Sequence, residues 1–356
     1  MYRLLIINPG STSTKIAVYE DENQVFLKSI SHSAQELLPF EHVIDQAQFR
    51  TELVRECLRD ARFSEDSFDA IIARGGILPP IRTGGYAVND DMLWQLRNKP
   101  AQEHASNLGA VIADAIGRPH GTPCYIYDAV SADEMDPLLT YTGLPELRRR
   151  GHAHNLNHRA CAHRFAETHG KTLGECNLIV AHLGGGASIA LFREGRIVDV
   201  VNNDDGPFTP ERAGALPTVQ LLELAMDEKT DCRALYRRVM KEGGLIAYFG
   251  TNSTQEIERR MEEGDEKAGE IYRAMAVNIA KRIGSLAPVV RGRLDAVILT
   301  GGIARSKKMT AMISEYVSYL APVVIYPGEN EMYALALGGL RILRGEETCN
   351  TFVHEP

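Results

Sequence analysis

The strongest constraint on this chain is that it repeats itself. Leu5-Ile-Ile-Asn-Pro-Gly10 overlays Ile179-Val-Ala-His-Leu-Gly184 at an offset of 174, and Ile16-Ala-Val-Tyr-Glu20 overlays Ile189-Ala-Leu-Phe-Arg193 at 173. Each copy reads apolar strand, small polar loop, apolar strand. A second pair, Asp69-Ala-Ile-Ile-Ala-Arg-Gly-Gly76 and Asp295-Ala-Val-Ile-Leu-Thr-Gly-Gly302, repeats at 226, so the second half holds 226 − 174 = 52 more residues between its anchors. Two domains of one fold, joined near residues 145–175, are the economical reading, and 356 residues suffice for two. The expected division is 1–150, 151–330, and a segment 331–356 that returns to the first domain.

Between the anchors lie amphipathic stretches. Val43, Ala47, Phe49, Leu53, Cys57, Leu58 and Ala61 recur at helical spacing. Further helices are expected over Glu266–Val290, ending near Pro288, and Glu331–Leu343. Helices alternating with strands place the chain in the α/β class. With 44% hydrophobic residues and a mean hydropathy of −0.19, each half can build a core.

A net charge of −8 repels phosphate backbones and anionic lipid, which argues against nucleic-acid or membrane-surface binding. No apolar run approaches the roughly 18 residues of a membrane helix, and Leu4–Ile7 is too short for a signal-peptide core. A cytoplasmic protein is expected. The six cysteines (57, 124, 161, 176, 232, 349) contain no C-x-x-C pair and are expected to be reduced and mostly buried.

Asn8-Pro-Gly-Ser-Thr-Ser-Thr-Lys15 follows a strand and gathers the hydroxyls of Ser11 and Ser13, backbone N–H groups and a lysine, the donors that polyphosphate oxygens require. It is not a Walker A loop, because Lys15 enters another strand instead of a helix. His182-Leu-Gly-Gly-Gly-Ala-Ser188 occupies the equivalent place in the second half. Two such loops facing each other across a cleft would clamp phosphates. Gly301-Gly302-Ile303 leads from a strand toward a helix near Arg305, a seat for a nucleotide's phosphate or ribose. Phosphoryl transfer also needs cations and magnesium-holding carboxylates. Arg74 at a strand end, Arg212 in a loop of prolines and glycine, Asp128 at another strand end and Glu331 at a helix start are the candidates. His152, His154, His158 and His163 cluster, and His154 with His158 has the i, i+4 spacing of zinc ligands, so a metal-dependent hydrolase is a rival reading.

Asn8-Pro-Gly-Ser-Thr-Ser-x-Lys15, Arg74-Gly-Gly76, Glu103-His-Ala-Ser-Asn-Leu-Gly109, His182-Leu-Gly-Gly-Gly186, Gly206-Pro-Phe-Thr-Pro-Glu-Arg212, Thr300-Gly-Gly-Ile-Ala304 and Glu329-Asn-Glu-Met-Tyr-Ala-Leu-Ala336 stand in order along nearly the whole chain. Together they resemble the butyrate kinases, which belong with acetate and propionate kinases in the superfamily of sugar kinases, actin and the heat-shock chaperone ATPases. The resemblance implies two duplicated ribonuclease-H-like (actin-like ATPase) domains with an interdomain cleft, and transfer of the γ-phosphoryl of MgATP to a short-chain fatty acid, giving acyl phosphate and ADP reversibly. It implies that Asn8, Ser11, Ser13 and Lys15 lie near the transferred phosphoryl, that Arg74 and Arg212 hold carboxylate and phosphoryl oxygens, and that Asp128 and Glu331 hold magnesium directly or through water. His154 falls at the family's catalytic histidine, His104 faces the acyl site, His182 with Gly184, Gly185 and Gly186 forms the second phosphate loop, and Gly301, Gly302 and Ile303 contact adenosine. A homodimer or higher homo-oligomer is also implied.

Two departures stand out. Ala153 replaces an aromatic ring that walls the acyl pocket in acetate kinases, which points to longer or branched acids such as butyrate or isobutyrate and leaves His152 or His154 as the catalytic histidine. The stretch Asn202–Gly206 is shorter than in the family. Three other functions stay in view: an acetate or propionate kinase, a same-fold kinase acting on a hydroxyl, which would show a carboxylate general base, and a non-enzymatic nucleotide-binding module.

Overall fold

The computed structural model describes residues 1–202 and 205–354. Two residues of the stretch Asn202–Gly206, Asn203 and Asp204, and the last two of the segment 331–356 lie outside the described residues. The chain forms two compact units: Met1–Asp133 with Asn155–Asn157 and the segment from Asn330 onward, and Glu134–His154 with His158–Glu329. The passage into the second unit comes at Glu134, where the sequence reading places it at 150.

Twelve strands carry the two units: β1 (Arg3–Pro9), β2 (Ser13–Glu20), β3 (Asn23–Ser31), β4 (Ala70–Arg74), β5 (Gly85–Ala87), β6 (Cys124–Tyr127), β7 (Leu178–Leu183), β8 (Ala187–Arg193), β9 (Arg196–Val201), β10 (Ala296–Gly301), β11 (Val323–Pro327) and β12 (Asn350–Thr351). The first sheet has the order β12-β5-β6-β4-β1-β2-β3, the second β11-β10-β7-β8-β9. In each, an antiparallel three-stranded meander continues into two parallel strands. The central strands β1, β4, β7 and β10 are apolar without alternation because helices cover both faces.

The repeat extends to the register. Leu4 pairs with Ala70 and Leu178 with Ala296, which are the same positions at offsets 174 and 226. A β-bulge falls between Val18 and Tyr19 and again, 173 residues on, between Leu191 and Phe192. Asp69 Oδ2 accepts from the Arg3 N–H at 2.6 Å, and Asp295 Oδ2 from the Asn177 N–H at 2.8 Å, so one strand-entry clasp occurs twice. A third matching pair, Pro123-Cys-Tyr-Ile-Tyr127 with Pro322-Val-Val-Ile-Tyr326, escaped the sequence reading; both prolines present their carbonyl to the neighbouring strand, at Ile71 N and Val297 N, 3.0 Å each. The offset shift from 174 to 173 has its cause in the first hairpin, where four residues separate the paired Pro9 and Thr14 and only three separate Leu183 and Ala187.

In the first unit, Val54 and Leu58 of the helix Ala47–Asp60 and Leu108 and Ile112 of the helix Leu108–Gly117 pack with Leu5, Ile7 and Ile71. The helix Glu331–Leu343 lies on the other face, against β1, β4 and β6. In the second unit the helices Glu266–Leu286 and Lys307–Val317 pack with Ile179, Ala181 and Leu299, while Cys161, Ala162 and Phe165 cover the opposite face. The long helix stops at Leu286 and closes with a 3-10 turn, Ala287–Val290, at Pro288. Four helices, Thr218–Met226, Cys232–Met240, Gly244–Phe249 and Thr254–Glu262, account for the longer connection of the second half. No helix among the described residues is long and apolar enough to cross a membrane. The cysteine expectation needs correction: all six are free, but only Cys161 and Cys176 are buried, and Cys232 is exposed.

Candidate active site

Since β1, β4 and β6 run parallel, their carboxyl ends open on one edge of the first sheet, where open α/β sheets take their ligands. Asn8, Arg74 and Asp128 stand at those three ends. Asn8 Nδ2 donates to Glu331 Oε2 at 2.7 Å, and Arg74 Nη1 meets Glu331 Oε1 at 2.8 Å, so one carboxylate at the start of the helix Glu331–Leu343 ties two strand ends together. Asn8 pairs with Lys15 across the hairpin, and the turn between them exposes Ser11 and half-buries Ser13. Asp128 is buried, adopts φ +44°, and accepts from the Gly84 N–H at 2.8 Å through Oδ1. His104 caps a 3-10 turn: its Nδ1 accepts from the Ser106 N–H at 3.2 Å, which leaves the proton on Nε2. Burial, then the neighbouring Arg74 charge, holds His104 below the usual histidine range.

The second unit repeats the plan with other residues. His182 ends β7 and pairs with Ser188, as Asn8 ends β1 and pairs with Lys15. His154 stacks on His182, ring centroids 4.0 Å apart and planes 8° from parallel. Ser188 Oγ accepts from the His154 N–H at 3.3 Å and lies 2.7 Å from His154 Nδ1 and 3.4 Å from His158 Nε2; in the tautomer in which the hydroxyl donates to His154 Nδ1, Nε2 is the donor nitrogen. His158 Nε2 donates to the Ser188 carbonyl at 3.2 Å, and burial, with His182 beside it, pushes its pKa down to about 3. It is therefore neutral. His154 and His158 thus serve Ser188, and among the described residues no three His, Cys, Asp or Glu side chains are grouped to hold a metal ion. His152 is exposed.

Two of the three glycines of the β7–β8 turn, Gly185 and Gly186, are there for close approach. A Cβ on Gly185 would stand 2.6 Å from the Glu211 carboxylate, and one on Gly186 would stand 2.6 Å from Arg212 Cζ. Glu211 and Arg212 are laid on the turn by Thr209, whose hydroxyl accepts from the Arg212 N–H at 3.1 Å and donates to the Gly185 carbonyl. Gly301 ends β10 at φ +87°, where a Cβ would meet the Leu183 carbonyl oxygen at 2.4 Å. Gly302 is exposed, and the Ile303 side chain belongs to the apolar core.

The predicted residues therefore form two groups. Asn8, Ser11, Ser13, Lys15, Arg74, His104, Asp128 and Glu331 share the strand-end edge of the first unit; His154, His182, Gly184–Gly186, Arg212 and Gly301–Ile303 belong to the second. Sequence reasoning missed Ser188, Thr209 and Glu211. Ser188 was legible as the repeat partner of Lys15 at offset 173.

Residues 140–321 match the model of the acetokinase family. A protein of Caldanaerobacter subterraneus described as probable butyrate kinase 2 is 44% identical over 349 residues, covering 98% of this chain and 99% of the relative. Butyrate kinase 2 of Clostridium acetobutylicum is 42% identical over 353 residues, covering 99% of each. Among solved structures, Porphyromonas gingivalis acetate kinase superposes with a TM-score of 0.80 at 19% identity, covering 96% of this chain and all of that one.

Proposed function

The chain belongs to the acetokinase family and is a carboxyl-group phosphotransferase for short-chain fatty acids, and we propose that its acceptor is butyrate or a branched acid such as isobutyrate, phosphorylated reversibly by MgATP. The observation that supports the acceptor best is the full-length likeness to butyrate kinases. Ala153 is half-buried against the core around Cys161 and Phe165, and we read its small size as room for a longer or branched acid. In the plain acetate or propionate kinase alternative, this position would call for bulk.

A carboxylate is already nucleophilic, so alignment and charge neutralisation carry the reaction. Arg74 takes the acid's carboxylate, with His104 near its acyl chain. Asn8, Ser11, Ser13 and Lys15 hold the transferred phosphoryl from the first unit. Arg212 and the Nε2–H of His154 supply positive charge and a donor from the second, so His154 and not His152 is our catalytic histidine. His182 and Gly184–Gly186 take ATP's phosphates, and Gly301, Gly302 and the Ile303 backbone take its adenosine. As the attacking oxygen bonds to phosphorus and the ADP oxygen leaves, charge spreads over three equatorial oxygens.

Magnesium suits the donor set, since it binds through one or two carboxylates, water and substrate phosphates. Asp128 would hold it, and Glu331, with both oxygens engaged by Asn8 and Arg74, would do so through water. Bound there, it would neutralise phosphate charge. We place the reaction in the cytoplasm, consistent with six free thiols. We also propose a homodimer at least, because Leu138, Tyr141, Leu144 and Leu147, and Val219, Leu222 and Met226 of one helix, expose apolar surface in runs.

The reverse reaction tests the reading. Butyryl phosphate with MgADP should yield ATP, measured by a luciferase coupling; no ATP from butyryl, isobutyryl or acetyl phosphate would discard it. A hydroxyl-directed kinase would instead consume ATP with a sugar. A local test concerns Arg212's seat: Gly186→Ala should push the guanidinium aside and lower kcat about 100-fold, as misplacement by an ångström can, with the melting curve near the parent's because a side-chain end can yield. Parent-like kcat would contradict that seating.

A further inference from the structure

The helix Ala47–Asp60 turns an arginine inward. Arg50 is 1% exposed, the largest fully buried side chain of the protein. No carboxylate lies within ion-pair distance of it among the described residues; its partners are neutral. Nη1 donates to the carbonyls of Gly10 at 2.7 Å and Ser13 at 3.3 Å and to Thr14 Oγ1 at 3.2 Å. Nη2 donates to the Ser11 carbonyl at 3.1 Å and, with Nε, to Gln46 Oε1. The Thr12 carbonyl accepts from the His32 N–H at 2.8 Å. Every carbonyl of the turn Gly10–Ser13 is therefore drawn to the protein side. The N–H groups of the exposed Ser11 and Thr12 have no protein acceptor among the described residues. A turn with its carbonyls tied back and its N–H groups outward is an anion-binding concavity, and here a guanidinium that keeps its proton lies beneath it.

We propose that Arg50 is a positioning residue for phosphoryl transfer: it acts through the Gly10–Ser13 turn, turning the Ser11 and Thr12 amides toward the phosphate oxygens and adding an uncompensated buried charge behind them. No direct contact with substrate is involved. The inference rests on the proposed kinase reading for its kinetic consequence, while the anion-binding part stands apart from it.

The test uses the full chain and Arg50→Lys, which keeps the charge but cannot reach three carbonyls at once. In the parent, titration with inorganic phosphate should shift the ¹⁵N–¹H signals of Ser11 and Thr12. In the variant those shifts should be lost, and kcat for butyrate should fall at least about tenfold with KM for butyrate little changed, the signature of a contact expressed in the transition state. A purely structural arginine would lower the melting temperature and leave kcat of the folded fraction unchanged. Parent amides that ignore phosphate, or a folded Arg50→Lys with kcat within about twofold of the parent, would overturn the proposal. Should Arg50→Lys not fold, Gln46→Met, which removes the acceptor of Nε and Nη2 without touching the turn, takes its place under the same criteria. If the parent makes no butyryl phosphate, the kinase reading fails and the amide titration alone decides the role of Arg50.

Discussion

Replacing Arg212 by alanine should lower kcat by about 10²- to 10³-fold, the loss that follows removal of one preorganised charge contact to developing negative charge. Its place is prepared before any substrate arrives: Gly186 leaves room for the guanidinium, and the Thr209 hydroxyl holds the Arg212 backbone. If the proposed contact is made only in the transition state, KM for butyrate should change far less than kcat. Arg212 is only half-buried, so circular dichroism and the melting temperature should match the parent. A well-folded variant with near-normal turnover would remove Arg212 from the mechanism.

Arg74→Ala should cost as much, by a different route. In the structure Arg74 neutralises Glu331 at 2.8 Å, with side-chain exposures of 27% and 26%. Its removal would take away the cation that we propose for the acid's carboxylate and leave Glu331 to repel that anion. We expect kcat/KM for butyrate to fall by about 10³-fold or more, with much of the loss in KM. An ion pair this accessible contributes about 0–1 kcal/mol to stability, so folding should survive. The double variant Arg74→Ala/Glu331→Gln should recover the KM part of the loss, because the repelling carboxylate is gone, while kcat stays low because Glu331 is our proposed magnesium holder; no recovery in KM would mean that Glu331 does not face the acid.

The two-sheet plan was legible because strands buried on both faces are continuous apolar runs, and the same run appears twice. The turns could be found because each follows such a run and carries glycine, serine or lysine. Arg50 was hidden for the opposite reason. An arginine in an amphipathic helix reads as surface, yet Gln46, Arg50, Val54 and Leu58 lie at i, i+4 steps and form the buried side, while Val43, Ala47, Phe49 and Leu53, four of the seven residues that suggested the helix, are only half-buried. Polarity misled because the helix faces the carbonyls of a turn and not only aliphatic side chains. His158 misled in the same way: its spacing from His154 matches a zinc pair, but its ring is spent on the Ser188 carbonyl. Spacing shows which side chains share a face; it does not show what the other side of that face offers.

The central claim is that the acceptor is the carboxylate of a four-carbon acid. Incubating the protein with MgATP and hydroxylamine, and comparing kcat/KM for hydroxamate formation from acetate, butyrate and isobutyrate, tests it most directly. Two added methylenes in an apolar pocket, at about 1–3 kcal/mol each, should favour butyrate over acetate by at least about 30-fold. Acetate preferred over both four-carbon acids, or no hydroxamate from any acid, would contradict the account.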